Sequence, residues 1–244
     1  MAEDRIPYLD ATGRLDQVFH FSDDFTTYVT ADDWTLVALA AGTAAVGDAA
    51  NGVIVITTAA TDNDDTAIVQ TAETLLIADG KPISFYCRAS ITEAATNVAN
   101  GFVGLINAAA ADDMVNAGAG MRVDFSGATF FKVDGSLNWN VIYSDGTTQT
   151  AVELTAANSL TKEAVAHVSA VMQDFKIDII PKTSTKVDIN FYVGAVDGNL
   201  DLVYRMIDKT YASATEMQAE FYLKAGSAAA EIMSVDYVAI DKLR

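Results

Sequence analysis

The sequence predicts an all-β protein built as an antiparallel sandwich. Three observations support this: many short segments with a period of two, Asp-Gly pairs between them, and few stretches that favour helix. In 83–91, Phe85, Cys87, Ala89 and Ile91 alternate with polar or aromatic-polar residues. Because successive side chains of a strand point to opposite faces, this alternation indicates a strand that is buried on one side. At 244 residues the chain can form a single such domain.

The same alternation recurs along most of the chain. Segment 121–125 places Met121, Val123 and Phe125 on one face, and 187–193 does so with four apolar residues. These two are the clearest predicted strands. Further predicted strands are 52–58, 66–70, 101–107, 129–133, 139–143, 149–154, 173–180, 200–206, 218–224 and 233–241. They are too many for one open sheet, so two packed sheets are expected.

Turns and connections follow from local composition. Asp134-Gly135, Asp145-Gly146 and Asp197-Gly198 are each flanked by strand-like residues, which predicts three hairpin tips where the backbone needs a positive φ. The Ala- and Leu-containing segments 71–78, 108–116 and 158–166 are predicted as short connecting helices.

The first 22 residues lack a sustained period and precede the first strong strand signal. They are predicted to form an extended N-terminal arm, with residues 23–244 as the β-sandwich domain. A frayed terminus is the alternative. If the arm is functional, its apolar residues contact a neighbouring subunit. These are Ile6, Tyr8, Leu9, Val18, Phe19 and Phe21.

Composition excludes several classes of function. The chain carries 33 acidic and 15 basic residues, a net charge of −18, and shows no basic patch, so nucleic acid is not an expected partner. No uninterrupted apolar run predicts a membrane-spanning helix or a secretion signal, and synthesis in a reducing cytoplasm is expected. A single cysteine, Cys87, excludes an internal disulfide.

Catalytic patterns are also lacking. The alternating acids Asp174 with Asp178, and Asp236 with Asp241, do not have the spacing of a glycosidase pair. The two histidines, His20 and His167, and the cysteine are interpreted as surface or packing residues instead of a nucleophilic system. The protein is therefore predicted not to be an enzyme and to need no cofactor.

One segment could hold a cation. Asp62, Asn63, Asp64 and Asp65 place four oxygen-bearing side chains together between strands, and Ca²⁺ prefers oxygen ligands. The run lacks the glycine and distal glutamate of an EF-hand, and such residues are also common in turns. Calcium and an ordinary turn both remain possible interpretations.

The order of elements resembles the concanavalin A-like, laminin G-type jelly-roll sandwich. The likeness covers residues 23–241 and lies in four segments. They are Asp23-Asp24-Phe25 followed by Trp34, then 175–179, then 187–194 with Asp197-Gly198, and finally 234–240. This resemblance implies two curved antiparallel sheets, and a fold of this kind does not by itself define a function.

The Ala- and Thr-rich style, the arm and the sandwich also resemble virion structural proteins of tailed bacteriophages, notably capsid decoration or cement proteins. That resemblance implies a non-enzymatic protein made in the bacterial cytoplasm that binds the outer capsid surface. The implied partners are the major capsid protein and further copies of itself, as a homotrimer. The acidic charge would suit a particle exterior.

The alternative function is a carbohydrate-binding, lectin-like module of a phage fibre or surface protein. Exposed aromatic rings would then stack on sugars. The candidates are Trp34, Trp139, Tyr143, Tyr192 and Tyr222. Large aromatic residues of a sandwich also fill the core, which is the competing interpretation of the same residues.

Overall fold

The computed structural model describes residues 8–9, 15–16, 18–38, 41–47, 52–73, 75–77, 80–116, 118–195, 199–211 and 215–243. All regular structure in these ranges is β-strand, and no helix occurs in them. The strands are β1 (Tyr8–Leu9), β2 (Leu15–Asp16), β3 (Val18–Asp23), β4 (Trp34–Ala38), β5 (Thr43–Val46), β6 (Ile54–Thr57), β7 (Asp65–Gln70), β8 (Leu75–Leu76), β9 (Ile83–Thr92), β10 (Ala99–Ile106), β11 (Ser126–Lys132), β12 (Asn140–Asp145), β13 (Gln149–Glu153), β14 (Gln173–Thr183), β15 (Lys186–Ala195), β16 (Asp201–Thr210), β17 (Glu216–Ala225) and β18 (Ile232–Leu243).

Two large antiparallel sheets form the sandwich. The first sheet has the order β13-β12-β11-β10-β17-β7-β4, with β8 added beside β17. The second sheet has the order β16-β15-β14-β9-β18-β6-β5, with β3 added beside β18. Strands β1 and β2 pair with each other only. The predicted antiparallel jelly-roll sandwich is confirmed.

The inner faces of both sheets meet in one apolar core. Phe130 of the first sheet packs against Phe175 and Phe191 of the second, with ring centroids 5.1 Å and 5.3 Å apart. Trp139 lies 4.8 Å from Phe175 in an edge-to-face arrangement. These rings are fully or almost fully buried. Each buries a large apolar area and prefers tilted contacts of this kind, so they fix how the two sheets face each other.

The strand and the helix predicted between β10 and β11 are both wrong. Within 121–125, Met121 and Phe125 are buried but Val123 is 72% exposed, so the segment does not alternate and is no strand. Segment 108–116 is no helix either. Residues 107–116 and 118–125, here called the flap segment, connect β10 to β11 and place Met114, Met121 and Phe125 on the outer face of the first sheet. Met and Phe there are buried by that sheet instead of by the sandwich core.

The other two predicted helices are also wrong. The described part of 71–78 contains the short strand β8, and 158–166 forms successive turns. Leu154 and Val165 of this region pack on the main core, so 134–170 adds no core of its own. Good helix formers such as Ala and Leu are overridden here by contacts with the sheets.

The predicted boundary between arm and sandwich falls inside β3. His20 and Phe21 of β3 pair with Asp241 and Ile240 of β18, so the end of the predicted arm belongs to the second sheet. Phe19 and Phe21 pack on the protein's own core. Their predicted contact with another subunit stays a prediction, and Ile6 lies outside the described residues.

Of the three predicted hairpin tips, the structure describes two. Asp145-Gly146 connects β12 to β13, and Asp134-Gly135 lies in the longer connection of β11 to β12. Gly135 and Gly146 both have the positive φ expected for such turns. Asp197-Gly198 lies outside the described residues. The strands on either side of it, β15 and β16, pair antiparallel.

The buried thiol provides a test of the core. Cys87 is fully buried on β9, and burial raises the pKa of its thiol well above the usual range. A protonated, inaccessible thiol is a poor nucleophile. We expect no reaction of the native protein with Ellman's reagent at pH 8 and release of one equivalent per chain in denaturant. Rapid reaction of the native protein would contradict this packing.

Candidate functional site

A polar cleft of about 390 Å³ opens where the chain crosses from the second sheet to the first. It lies along the loop that joins β3 to β4 and beside β18. The cleft is lined by Ser22, Asp23, Asp24, Thr26, Thr27, Tyr28, Val29, Asp32, Asp33, Trp34 and Tyr237. Because this loop bridges the two sheets, its position depends on the residues that fix it at both ends.

Aromatic packing anchors the loop. Phe25 is fully buried and has a φ of 50°, a conformation that non-glycine residues seldom adopt. Its ring lies 5.5 Å from that of Trp34, which in turn lies 5.6 Å from Phe221 of β17. Ala31 also has a positive φ, 72°. Burial of Phe25 and Trp34 offsets this backbone strain and holds the loop in one conformation.

Asp23 fixes the start of the loop by hydrogen bonds. Its Oδ1 accepts from the backbone N–H of Phe25 at 2.7 Å, and its Oδ2 accepts from Nε1 of Trp34 at 2.8 Å. Gly52 supports the same turn, since a Cβ there would lie 2.3 Å from the carbonyl oxygen of Asp24. The carboxylate of Asp23 therefore has a structural role in shaping the cleft.

The remaining lining defines what the cleft can bind. Tyr28 and Tyr237 are half-buried, and Asp24, Thr26, Thr27 and Asp32 are exposed. Hydroxyl and carboxylate oxygens accept hydrogen bonds from ligand hydroxyl groups, and a tyrosine ring offers an apolar face with a polar tip. No Lys, Arg or His occurs among the described residues that line the cleft. This lining disfavours anionic ligands.

Three polar side chains form a row at the rim of the cleft. His20 Nδ1 lies 2.7 Å from Asp241 Oδ1, and His20 Nε2 lies 3.2 Å from Ser22 Oγ. The order of atoms matches that of a nucleophile, a base and an orienting acid. The side chains of His20 and Asp241 are 45% and 54% exposed, however, and the neighbouring cleft is acidic. An oxyanion would be destabilised there, whereas the row can exchange hydrogen bonds with a ligand.

Most of the aromatic residues predicted for sugar stacking are in the interior. Trp34, Trp139, Tyr143 and Tyr222 are each at most 3% exposed. Only Tyr192 of the five is half-buried, and Lys176 Nζ lies over its ring at 5.0 Å. The packing interpretation is confirmed for the other four. Of these, only Trp34 contacts the cleft, at its floor.

The four residues considered as a calcium site, 62–65, lie in two different environments. Asp62 is exposed and Asn63 half-exposed, whereas Asp64 and Asp65 are buried. Asp64 Oδ2 accepts from the N–H of Ala59 at 2.7 Å, and Asp65 Oδ2 accepts from the N–H of Asp112 and the hydroxyl of Tyr222, both at 2.6 Å. Over the described ranges, no three His, Cys, Asp or Glu side chains are grouped so that they could hold a metal ion.

The other acidic residues and the histidine considered as catalytic candidates have partners of their own. Asp174 accepts from Arg88 Nε at 2.9 Å, and Asp178 lies 2.9 Å from Lys176 Nζ. His167 is buried, and burial lowers its pKa although Glu93 opposes that shift. Its Nε2 lies 3.1 Å from the carbonyl oxygen of Ile91, so it is a packing residue, as predicted.

The sequence matches no family model and no curated protein. Solved structures with the same fold do exist. Lectin II from Ulex europaeus is 13% identical, with a TM-score of 0.61 over 94% of this chain and 100% of that one. An endo-β-1,4-glucuronan lyase from the fungus Trichoderma reesei is 11% identical, with a TM-score of 0.59 over 90% and 94%. At these identities the likeness shows the fold alone, which is concanavalin A-like, as predicted.

A third structure, the carbohydrate recognition domain of Emp46p, is 10% identical with a TM-score of 0.53 over 85% of this chain and 88% of that one. It was solved in a potassium-bound form and also in a metal-free form. The structural neighbours thus include lectins, a lectin-like recognition domain and one enzyme.

No helix in the described part of this chain could span a membrane.

The role of Asp23 can be tested by mutation. Asp23→Ala leaves the buried Nε1 of Trp34 without its acceptor, and we expect a loss of about 1–3 kcal/mol in the free energy of unfolding. Asp24→Ala, at the exposed neighbouring position, is the control and should change it by less than about 0.5 kcal/mol. Urea denaturation measures both. Equal losses in the two variants would contradict the assigned role.

Proposed function

We propose that this protein is a carbohydrate-binding domain whose ligand occupies the cleft between β3 and β4. The observation that carries the proposal is the lining itself. Two half-buried tyrosines, Tyr28 and Tyr237, lie among hydroxyl and carboxylate groups. A sugar ring presents apolar C–H faces and a rim of hydroxyl groups, which match such a lining. The row of Ser22, His20 and Asp241 extends the polar rim.

The charge of the cleft narrows the ligand to a neutral sugar. Asp23, Asp24, Asp32 and Asp33 all line it, and none of the described lining residues is cationic. A uronic or sialic acid would be repelled, whereas the hydroxyl groups of a neutral sugar can donate to the carboxylates. The lectin-like structural neighbours support a carbohydrate ligand at the level of the fold.

We propose binding without turnover. A retaining glycosidase needs two carboxyl groups about 5–5.5 Å apart with one able to act as an acid. In the cleft, Asp23 already accepts two hydrogen bonds from its own loop. The pairs Asp174 with Asp178 and Asp236 with Asp241 lie outside the cleft lining.

A role on the outer surface of a virus particle is the second candidate. One observation favours it: the exposed apolar side chains Leu137, Val168 and Val171 lie on connected backbone, because the N–H of His167 donates to the carbonyl of Leu137 and that of Val171 to the carbonyl of Val168. Apolar surface of this kind is typical of protein contacts. In this proposal the major capsid protein and further copies of this chain, as a homotrimer, are the partners.

Glycan binding can be tested on an array of neutral and acidic glycans. We expect hits among neutral glycans only. Tyr28→Ala and Tyr237→Ala should each weaken binding about tenfold, or about 1.4 kcal/mol, because each removes a stacking face. Tyr192→Ala removes a half-buried tyrosine away from the cleft and is the matched control. An empty array, or equal loss with the control, would contradict the proposal.

The second candidate predicts an oligomer. Light scattering coupled to size exclusion should then give a trimer mass, and Leu137→Asp with Val168→Asp should shift it to a monomer by placing charges on the apolar surface. Monomeric wild-type protein that does not bind capsid shells would count against this role.

A further inference from the structure

The flap segment covers a second apolar cluster on the outer face of the first sheet. Met114, Met121 and Phe125 of the flap pack against sheet residues. The sheet side of the cluster consists of Ala67, Phe102, Ile106, Phe131, Ile142 and Tyr222. The rings of Phe102 and Tyr222 are stacked, with centroids 5.1 Å apart. This sheet is therefore buried on both faces at this point.

A pair of carboxyl groups lies at the same contact. Asp113 of the flap and Glu220 of β17 are both fully buried, and their carboxyl groups are adjacent, since each shifts the pKa of the other. Two carboxylates are both acceptors and cannot bond to each other, so this contact requires a proton on one of them. Neither oxygen of Glu220 has a donor among the residues that the structure describes. With no other donor at hand, the proton of the pair must be carried by one of the two carboxyl groups themselves.

The charged groups around the pair explain which acid holds that proton. Asp113 lies beside Arg122 of the flap and accepts at Oδ2 from the N–H of Ala110 at 2.6 Å, so it is the better stabilised anion. Glu220 faces Asp113 and, from β7, Asp65, with Arg122 as the nearby cation. The pKa of Glu220 is raised well above its usual range, first by burial and then by the charge of Asp113. Burial also raises the pKa of Asp113, against the hydrogen bond from Ala110 and the charge of Arg122.

The flap has other attachments to the sheet. Asp65 Oδ2 accepts from the N–H of Asp112 at 2.6 Å, and Lys224 Nζ donates to the carbonyl of Met114 at 3.1 Å and pairs with Asp112. The contact between Asp113 and Glu220 is the one that depends on a proton.

We propose that the flap is held by a proton: the carboxyl group of Glu220, protonated and donating to Asp113, keeps the segment seated on the first sheet, and loss of this proton releases it. Release separates two buried anions and uncovers the stacked Phe102 and Tyr222. The device is independent of the proposed sugar cleft, which lies on the loop between β3 and β4.

The direction of the pH effect follows from linkage. In the released state Glu220 meets water and has an ordinary pKa of about 4.3. In the seated state its pKa is higher, so seating is strongest below about pH 4 and weakens as the pH rises. For one proton, the equilibrium constant for release increases about tenfold for each pH unit until the raised pKa is reached.

The test uses the methionines as reporters. Met114 and Met121 belong to the flap and are buried against the first sheet, whereas Met233 is fully buried in the main core. The full-length protein is treated with dilute hydrogen peroxide at pH 5, 6, 7 and 8, and oxidation at each methionine is followed by mass spectrometry. We expect oxidation of Met114 and Met121 to accelerate by about tenfold per pH unit over part of this range, with Met233 unchanged.

Two variants complete the experiment. Glu220→Gln keeps the shape of the side chain and can donate to Asp113 at every pH, so its Met114 oxidation should not depend on pH. Glu216→Gln, at an exposed position of the same strand, is the control and should behave as the wild type. Oxidation of Met114 that is independent of pH in the wild type would overturn the proposal, and so would parallel acceleration at Met233, which would indicate global unfolding.

Discussion

The burial of the two sheets' inner faces against each other is the constraint on which the rest of this protein depends. The described chain contains no helix and no disulfide, so apolar contacts between strands distant in sequence must supply its stability. Phe130 joins the first sheet to Phe175 and Phe191 of the second, and beside the cleft Phe25, Trp34 and Phe221 attach the loop to the first sheet. The loop that forms the cleft is positioned by the second group of rings.

The first sheet is unusual because polar groups are buried on its outer face as well. Lys224, Glu220 and Asp113 are all fully buried, outside the main core. Burying such groups is costly unless they are paired. Lys224 is paired with Asp112 and a backbone carbonyl, and Asp113 with Arg122, but Glu220 depends on a carboxyl partner. The apolar contacts of the flap offset the cost of this arrangement.

Period-two alternation was sufficient to predict the central strands, because 83–91 and 187–193 each have one face in the core. Strands buried on both faces, such as 101–107 and 218–224, were also predicted, but the prediction failed over 121–125 and at sheet edges. The flap alternates in sequence over 121–125 but follows the contour of the outer face, so Val123 points to solvent. Strands β4 and β5 lie at sheet edges, and neither the sequence WTLVA of β4 nor TAAV of β5 has the alternation of a half-buried strand.

The cleft could be predicted only in part. Asp23, Phe25 and Trp34 were noticed as a fold signature, but sequence alone does not show that Tyr237, about two hundred positions later, lies beside them. The carboxyl pair was invisible for the same reason, since Asp113 and Glu220 meet through the placement of a loop on a sheet. Contacts of this kind depend on tertiary structure, and local pattern carries no signal for them.

Strand β18 pairs with β9 along one side and with both β6 and β3 along the other. The last strand in chain order therefore lies inside the second sheet and joins strands from earlier parts of the chain. During synthesis on a ribosome, β3, β6 and β9 each keep an unpaired edge until β18 has emerged, although they precede it in the chain. A nascent chain of this kind presents open strand edges to chaperones until that strand is available.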